Sequence, residues 1–159
     1  MYLCLIEVQK LPYKVSHGKA MQVTYSTDEV FSRIKHEGIQ FIDLQFTGLT
    51  GHFHHTTISA DTFTPDQMRD GLPKLDGSSI IGFTSIQDSD LLLKPDPNTF
   101  AIIPWLTENK TARLLCDVYW GGNRGRLESD PRGISQKAEE YIKTQGFDFS
   151  TWGPEVEFF

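Results

Sequence analysis

The sequence predicts an α+β protein. Residues 22–121 are predicted to form a small sheet with one or two helices packed on it. Residues 122–159 are predicted to begin a second domain. Two segments around a TGLTG turn alternate between apolar and polar residues, as paired strands do, and two later apolar segments have the length of strands. After residue 121 the pattern changes to a helix followed by a strand. Residues 1–20 fit neither pattern and are treated as an N-terminal extension of uncertain character, with Met21 as a second plausible start.

The first elements of the sheet domain follow from local signals. Ser26 and Glu29 have the spacing of a capping box, and an apolar helical face follows them until Gly38, which predicts a helix. The segments IQFIDLQF and HFHHTTI flank the TGLTG turn, so residues 39–58 are predicted to form a hairpin.

A second, shorter helix is predicted after the hairpin. Thr64 with Pro65 and Gln67 is typical of a helix start, and Gly71 ends the pattern. The apolar segments TFAIIPW and ARLLCDVY then predict two further strands.

The Gly-rich segment WGGNRGR is interpreted as a linker, because it lacks the Gly-Lys-Ser/Thr ending of a phosphate-binding loop. Asp130 followed by Pro131 begins the next helix and Gly146 ends it. The helix has an apolar stripe, which consists of Ile134, Ala138, Tyr141 and Ile142. The closing FSTWGPEVEFF predicts a strand. One helix and one strand cannot cover both faces of a sheet, so we expect the chain to be a fragment of a longer protein.

Composition narrows the function classes. Arginine and lysine number 15 against 21 acidic residues, a net charge of −6, which disfavours binding to nucleic acid. No apolar run approaches the ~20 residues of a membrane span, and the N-terminal segment lacks the basic region of a signal peptide. The two cysteines, Cys4 and Cys116, cannot form a framework of several disulfides, so we expect a cytoplasmic protein with a buried Cys116.

Glu155 and Glu157 stand one residue apart in the apolar segment GPEVEFF. In a strand, residues at this spacing point to the same face, about 6.6 Å apart. That separation suits two neighbouring hard cations better than one shared ion, and each cation would need further oxygen ligands from elsewhere. The pattern alone favours an exposed strand face with two solvated glutamates.

The segment LDGSSI places Asp76 and Ser79 in a Gly- and Ser-rich turn. Such residues form turns because Gly adopts positive φ and Asp and Ser bond nearby amides. A structural turn is therefore the simpler interpretation. The functional interpretation is an exposed loop that presents an ionised carboxylate to a cationic substrate.

Four motifs in order resemble the glutamine synthetase family, class I: the DGSS loop with its downstream Ser89-Asp90, LLCDVY, the helix start DPRGIS and the strand GPEVEFF. The resemblance covers residues 41–159 and implies a β-grasp domain followed by the start of an α/β-barrel-like catalytic domain. Phe83 stands where bacterial members often have Trp, which keeps an aromatic ring. The implied reaction joins ammonia to L-glutamate with ATP, through a γ-glutamyl phosphate intermediate.

The resemblance also implies roles for particular residues. Glu155 and Glu157 match the family's first two metal-binding glutamates, one for each of two Mg²⁺ or Mn²⁺ sites. Asp76 matches the catalytic loop aspartate that binds ammonium and takes its proton, and Ser79 matches a neighbouring serine of the same loop. In the family this loop reaches the active site of the adjacent subunit in a ring, usually a dodecamer. The other metal ligands and the nucleotide and glutamate pockets would lie beyond Phe159, so this chain alone is expected to be inactive.

Two other functions remain open at this stage. A related γ-glutamyl ligase would use an amine other than ammonia, and a non-catalytic β-grasp protein would serve as an interaction module.

His52 and His54 would share one strand face, as zinc ligands could, but no cysteine or third histidine has matching spacing. A solvated hairpin face is therefore the expected role of these two residues.

Overall fold

The computed structural model describes residues 6–8, 24–153 and 155. The chain divides into two compact units, Met21–Ile134 and a second unit formed by Met1–Ala20 with Ser135–Phe159. The helices are α1 (Thr27–Glu37), α2 (Pro65–Asp70) and α3 (Pro131–Thr144). The strands are β1 (Ile6–Val8), β2 (Phe41–Thr47), β3 (Phe53–Ser59), β4 (Leu72–Asp76), β5 (Asp90–Pro95), β6 (Ala101–Ile102), β7 (Thr111–Trp120) and β8 (Ser150–Trp152). Within the described ranges, no helix combines the length and the apolar character that crossing a bilayer requires.

The first unit is built on a mixed sheet in the order β3-β2-β7-β5-β4, with the short β6 also paired to β7. β2 and β3 form the expected antiparallel hairpin, with Phe46 opposite His54. β2 and β7 run parallel at the centre, and β7 pairs antiparallel with β5 on its other side. Side chains along a strand alternate between the two faces of the sheet. The core therefore receives Ile42 and Leu44 from β2, and Leu114 and Val118 from β7.

Helices α1 and α2 pack against the core of this sheet. Ser26 and Glu29 form the predicted capping box, and Gly38 ends α1 with a left-handed φ of 64°. Thr64 and Gln67 form a second capping box at the start of α2. Val30 and Ile34 of α1 and Met68 of α2 join the buried core. These observations confirm the α+β class predicted for the chain.

The Gly-rich segment after β7 is not the linker expected from the sequence. The amide of Trp120 donates to the carbonyl of Gly125 at 2.9 Å, and the amide of Leu127 donates to that of Val118 at 2.9 Å. Leu127 is buried. The segment therefore folds back on β7 as a tight turn, and the first unit continues to Ile134.

A network of charged residues joins this turn to the start of α3. The Asp130 carboxylate is fully buried and accepts hydrogen bonds from Arg126 Nε at 2.9 Å and Nη2 at 2.8 Å. It also accepts from the amides of Val118, at 3.3 Å, and Arg132, at 3.2 Å. Arg126 and Arg132 both form ion pairs with Asp117. Asp117 and Asp130 therefore each have an arginine partner. Asp130 begins α3, as predicted, and also forms the centre of this network.

The second unit contains the rest of α3 and a two-stranded sheet. β1 pairs antiparallel with β8, with Ile6 opposite Trp152, a pairing that the sequence did not indicate. The expected apolar stripe of α3 is largely exposed at Ile134, Ala138 and Tyr141. In the first unit, the strand expected over TFAIIPW is shorter than predicted, because only Ala101–Ile102 pair with β7.

Candidate functional site

Asp76 lies at the end of β4, where the chain turns into a single 3₁₀ turn, Gly77–Ser79. Its carboxylate accepts hydrogen bonds from the Ser78 amide at 3.0 Å and the Ser78 hydroxyl at 2.7 Å. The hydroxyl of Ser79 donates to the other carboxylate oxygen at 3.4 Å. The turn is therefore held by the aspartate side chain itself, as expected for Asp before Gly-Ser-Ser.

The same contacts determine the charge of Asp76. The bond from the Ser78 hydroxyl, and after it the bond from the Ser78 amide, hold the pKa of the Asp76 carboxyl below its usual range. Asp76 and Ser79 are both exposed. The structure thus presents an ionised carboxylate to solvent on a turn of fixed shape. Such a group attracts a cation well and accepts a proton less readily than an ordinary carboxylate.

Gly77 connects the turn to the chain just before β5. Its amide donates to the Ser89 carbonyl at 2.8 Å, and the residue is buried. A Cβ at this position would lie 2.4 Å from Thr84 Oγ1 and 2.6 Å from Leu91 Cδ1. Only glycine lets the backbone lie this close to β5, so the position of Asp76 depends on the absence of a side chain at residue 77.

Asp76 does not stand alone at this edge of the sheet. In the register of β4 and β5 it lies directly opposite Asp90. Both line an open cleft of about 600 Å³ that also includes Lys74 and the backbone of Gly121 and Gly122. Two carboxylates against one ammonium group give the cleft an excess of negative charge, which suits a small cation. The Ser89-Asp90 motif was noted in the sequence, but the position of Asp90 opposite Asp76 was not predicted.

The chain between β4 and β5 carries exposed apolar side chains and is secured at its far end. Ile81 and Ile86 are 80% and 78% exposed. Asp88 accepts two bonds from Arg124, at 2.6 and 2.8 Å, and this pairing lowers the pKa of the Asp88 carboxyl. The Arg124 guanidinium also lies over the Trp120 ring, 4.6 Å from its centroid. The loop is therefore tied to the turn after β7 while its apolar residues face outward.

The predicted metal ligands lie at the end of the chain. Glu155 is exposed. Glu157 lies outside the described residues, so the predicted common face of the two glutamates stays a prediction. In the ranges that the structure describes, no three His, Cys, Asp or Glu side chains are grouped to hold a metal ion. A glutamate oxygen is the kind of donor that Mg²⁺ prefers, but one carboxylate does not complete a site.

The sequence did not predict a polar cluster on the hairpin. Asp43 accepts bonds from Gln45 Nε2 at 2.8 Å, His55 Nδ1 at 2.7 Å and Thr57 Oγ1 at 2.8 Å. Burial by itself would raise the pKa of Asp43, but the three donors outweigh it and the pKa is lowered. The donors come from two strands, and only the register of β2 and β3 brings them together.

His52 is exposed and His54 is half-buried. Together with Ser79 and Ile81 they line a cavity of about 250 Å³. Cys116, in contrast, is buried as expected, and burial raises the pKa of its thiol. Cys4 lies outside the described residues.

Comparisons with known proteins identify the family. The family model described as "Glutamine synthetase, beta-Grasp domain" matches residues 38–121, more than half of the chain. The chain belongs to the glutamine synthetase family. The resemblance drawn from the motifs and the β-grasp fold are both confirmed.

Individual relatives agree with this family. A glutamine synthetase of Sulfolobus acidocaldarius is 48% identical over 131 residues, covering 82% of this chain and 27% of the relative. One of Aquifex aeolicus is 43% identical over 136 residues, covering 85% and 29%. The chain thus spans less than a third of the length of these relatives.

Solved structures share the fold. A glutamine synthetase of Plasmodium falciparum superposes with a TM-score of 0.68 at 23% identity, over 78% of this chain and 24% of that one. A structure of GmaS without ligand superposes with a TM-score of 0.63, also at 23% identity, over 72% and 26%.

Proposed function

We propose that this chain is the N-terminal part of an enzyme that joins ammonia to L-glutamate with ATP, giving glutamine, ADP and phosphate. Family membership supports the reaction class, and the ionised, exposed carboxylate of Asp76 is the observation that carries the proposal to these residues. Since the chain spans less than a third of its relatives, the activity belongs to the whole protein.

In this proposal Asp76 holds ammonium beside the reacting centre. Ammonium is a compact cation, and an open cleft with two carboxylates suits it. Loss of a proton from bound ammonium yields ammonia, whose lone pair attacks the carbonyl carbon of γ-glutamyl phosphate. The bond from that carbon to the phosphate oxygen breaks, phosphate leaves, and the new C–N nitrogen releases a second proton to give the amide. Because the pKa of Asp76 is lowered, attraction of ammonium is its stronger contribution and proton acceptance its weaker one. Ser79 helps to hold the carboxylate in place.

The proposed metal ligands are Glu155 and Glu157, one for each of two Mg²⁺ or Mn²⁺ ions. When bound, such ions neutralise the charge that develops as the phosphoryl group passes from ATP to the substrate carboxylate. The two glutamates of this chain would contribute one oxygen donor to each ion. The other donors belong to the remainder of the protein.

The proposal also includes a homo-oligomer. The loop with exposed Ile81 and Ile86 would contact the neighbouring subunit in a ring, as in a dodecamer, and would carry Asp76 into that subunit's active site. We expect the assembled enzyme to act in the cytoplasm.

Substitutions of Asp76 in the full-length enzyme test the central claim. Asp76→Ala removes both the charge and the turn-holding acceptor, whereas Asp76→Asn keeps an oxygen that can accept from Ser78. If the charge is what matters, both variants lose glutamine formation, by about 10²–10⁴-fold, while phosphorylation of glutamate by ATP is less affected. The exposed Asp61 provides a control, since Asp61→Ala should leave both reactions unchanged.

Three outcomes would count against this assignment. Full activity in Asp76→Asn would mean that the carboxylate only shapes the turn. An equal loss in both half-reactions would point to damaged folding or assembly. Faster turnover with methylamine than with ammonia in the unsubstituted enzyme would instead favour a γ-glutamyl-amine ligase.

Mixed oligomers test the shared site. Chains with Asp76→Ala and chains with Glu157→Ala are each strongly impaired in the proposal, but some interfaces of a mixed oligomer pair two intact halves and regain activity. A verified mixture without recovery would show that Asp76 acts in its own subunit or not at all.

A further inference from the structure

The cavity beside the Asp76 loop has two histidines in its wall. His52 and His54 form one side, and Ser79 to Ile81 form the other, around a volume of about 250 Å³. The cavity is distinct from the cleft that Asp76 and Asp90 line. Its walls come from the hairpin and from the loop, so whatever fills it contacts both.

The two imidazole rings lie close together, and in the described residues their nitrogen atoms have no hydrogen-bond partner. Their ring centroids are 5.4 Å apart and the ring planes are tilted by 47°. The His54 ring stacks on Phe46 at 5.3 Å, and its Nε2 lies over Gly48, where a Cβ would come within 2.8 Å. In the described part of the chain neither imidazole has a hydrogen bond or an ion pair, unlike the neighbouring His55, which is bound to Asp43.

This separation of the ring centroids is compatible with two ligands of a single metal ion. An imidazole nitrogen binds Zn²⁺ at about 2.0–2.1 Å, which places each ring centroid about 3.2 Å from the ion. At a tetrahedral angle, the two centroids are then about 5.2 Å apart. The observed centroid separation of 5.4 Å is close to this value, and the cavity leaves room for water as the remaining ligands.

We propose that His52 and His54 bind one transition-metal ion of the imidazole-preferring class, Cu²⁺, Ni²⁺ or Zn²⁺, with water completing its coordination. Imidazole favours these ions, whereas Mg²⁺ prefers oxygen donors, so this site is separate in kind from any magnesium site at Glu155 and Glu157. Because Ser79 lines the same cavity and bonds to Asp76, a bound ion restrains the Asp76 loop against the hairpin.

Titration of the 159-residue chain with Ni²⁺ and Cu²⁺ tests the site without reference to enzymatic activity. We expect one ion per chain, tighter binding of Cu²⁺ than of Ni²⁺, and no competition from excess Mg²⁺. His52→Gln or His54→Gln should each weaken binding at least tenfold, since loss of a mere supporting contact already costs about 10–100-fold in metal affinity. His36→Gln and His55→Gln are matched controls and should change it less than twofold.

Hydrogen exchange tests the link to the loop. Ni²⁺ should slow amide exchange over residues 77–81 in the unsubstituted chain and not in the His52→Gln, His54→Gln double variant. Binding that survives the double substitution, or an equal loss in the control variants, would overturn the site. One-to-one binding with unchanged exchange of the loop amides would overturn its coupling to Asp76.

Discussion

Replacing Asp130 is the most direct test of what joins α3 to the sheet. The carboxylate is fully buried and holds both Arg126 and the first turn of α3. Removing one partner of a buried ion pair typically costs ~3–5 kcal/mol. Arg126 keeps its contact with Asp117, so we expect Asp130→Ala to lower the free energy of unfolding by about 3 kcal/mol, near the lower end of that range.

Urea unfolding of the chain measures this loss. With a denaturant slope of about 2 kcal/mol per molar, a loss of 3 kcal/mol moves the midpoint down by about 1.5 M. Asp130→Asn keeps the size and one acceptor oxygen and should lose about 1–2 kcal/mol. Asp66 also pairs with an arginine at 2.8 Å but is 80% exposed, so Asp66→Ala should cost less than about 1 kcal/mol.

The reasoning fails if Asp130→Ala unfolds at the same urea concentration as Asp66→Ala. That result would mean that water or a shifted side chain satisfies Arg126 at no cost. Circular dichroism and tryptophan fluorescence should report the same transition, which checks that one cooperative step is being compared.

Two further substitutions test the hairpin and the loop. The lowered pKa of Asp43 means that its ionised form stabilises the fold above about pH 4, and that this is lost as pH falls through the folded-state pKa. Asp43→Asn should therefore be less stable at pH 7 and lose less stability below pH 4; urea midpoints that run parallel in both chains would contradict this. Gly77→Ala places a Cβ within 2.6 Å of Leu91 and should lower the free energy of unfolding in urea by about 1–3 kcal/mol. An unchanged midpoint would show that β5 moves to accept the methyl group at no cost.

Sequence reasoning succeeded where the determining residues are neighbours in the chain. The capping boxes of α1 and α2 each lie within four residues, and the β2–β3 hairpin depends on one short turn. The Asp76 turn is likewise local, since its carboxylate bonds to Ser78 and Ser79. Such features depend on backbone geometry and spacing that the sequence displays directly.

Features formed by distant residues were missed. The β1–β8 pairing, the opposition of Asp76 and Asp90, and the bonds between Arg126 and Asp130 all depend on how strands align after folding. The segment after β7 was misjudged for the same reason: its glycines suggested freedom, whereas Leu127 and Asp130 are buried. Glycine permits tight turns as readily as loose connections, and composition alone does not separate the two.

The parallel pairing of β2 with β7 has a consequence for how this protein folds during synthesis. Phe41 lies opposite Thr111, so the centre of the sheet cannot close until nearly the whole first unit has left the ribosome. The β2–β3 hairpin can form early, but it then has an open edge and unburied Ile42 and Leu44. Long-range strand pairing of this kind slows folding and prolongs the exposure of strand edges. Newly made chains are therefore most prone to aggregate in the interval between the emergence of β2 and that of β7.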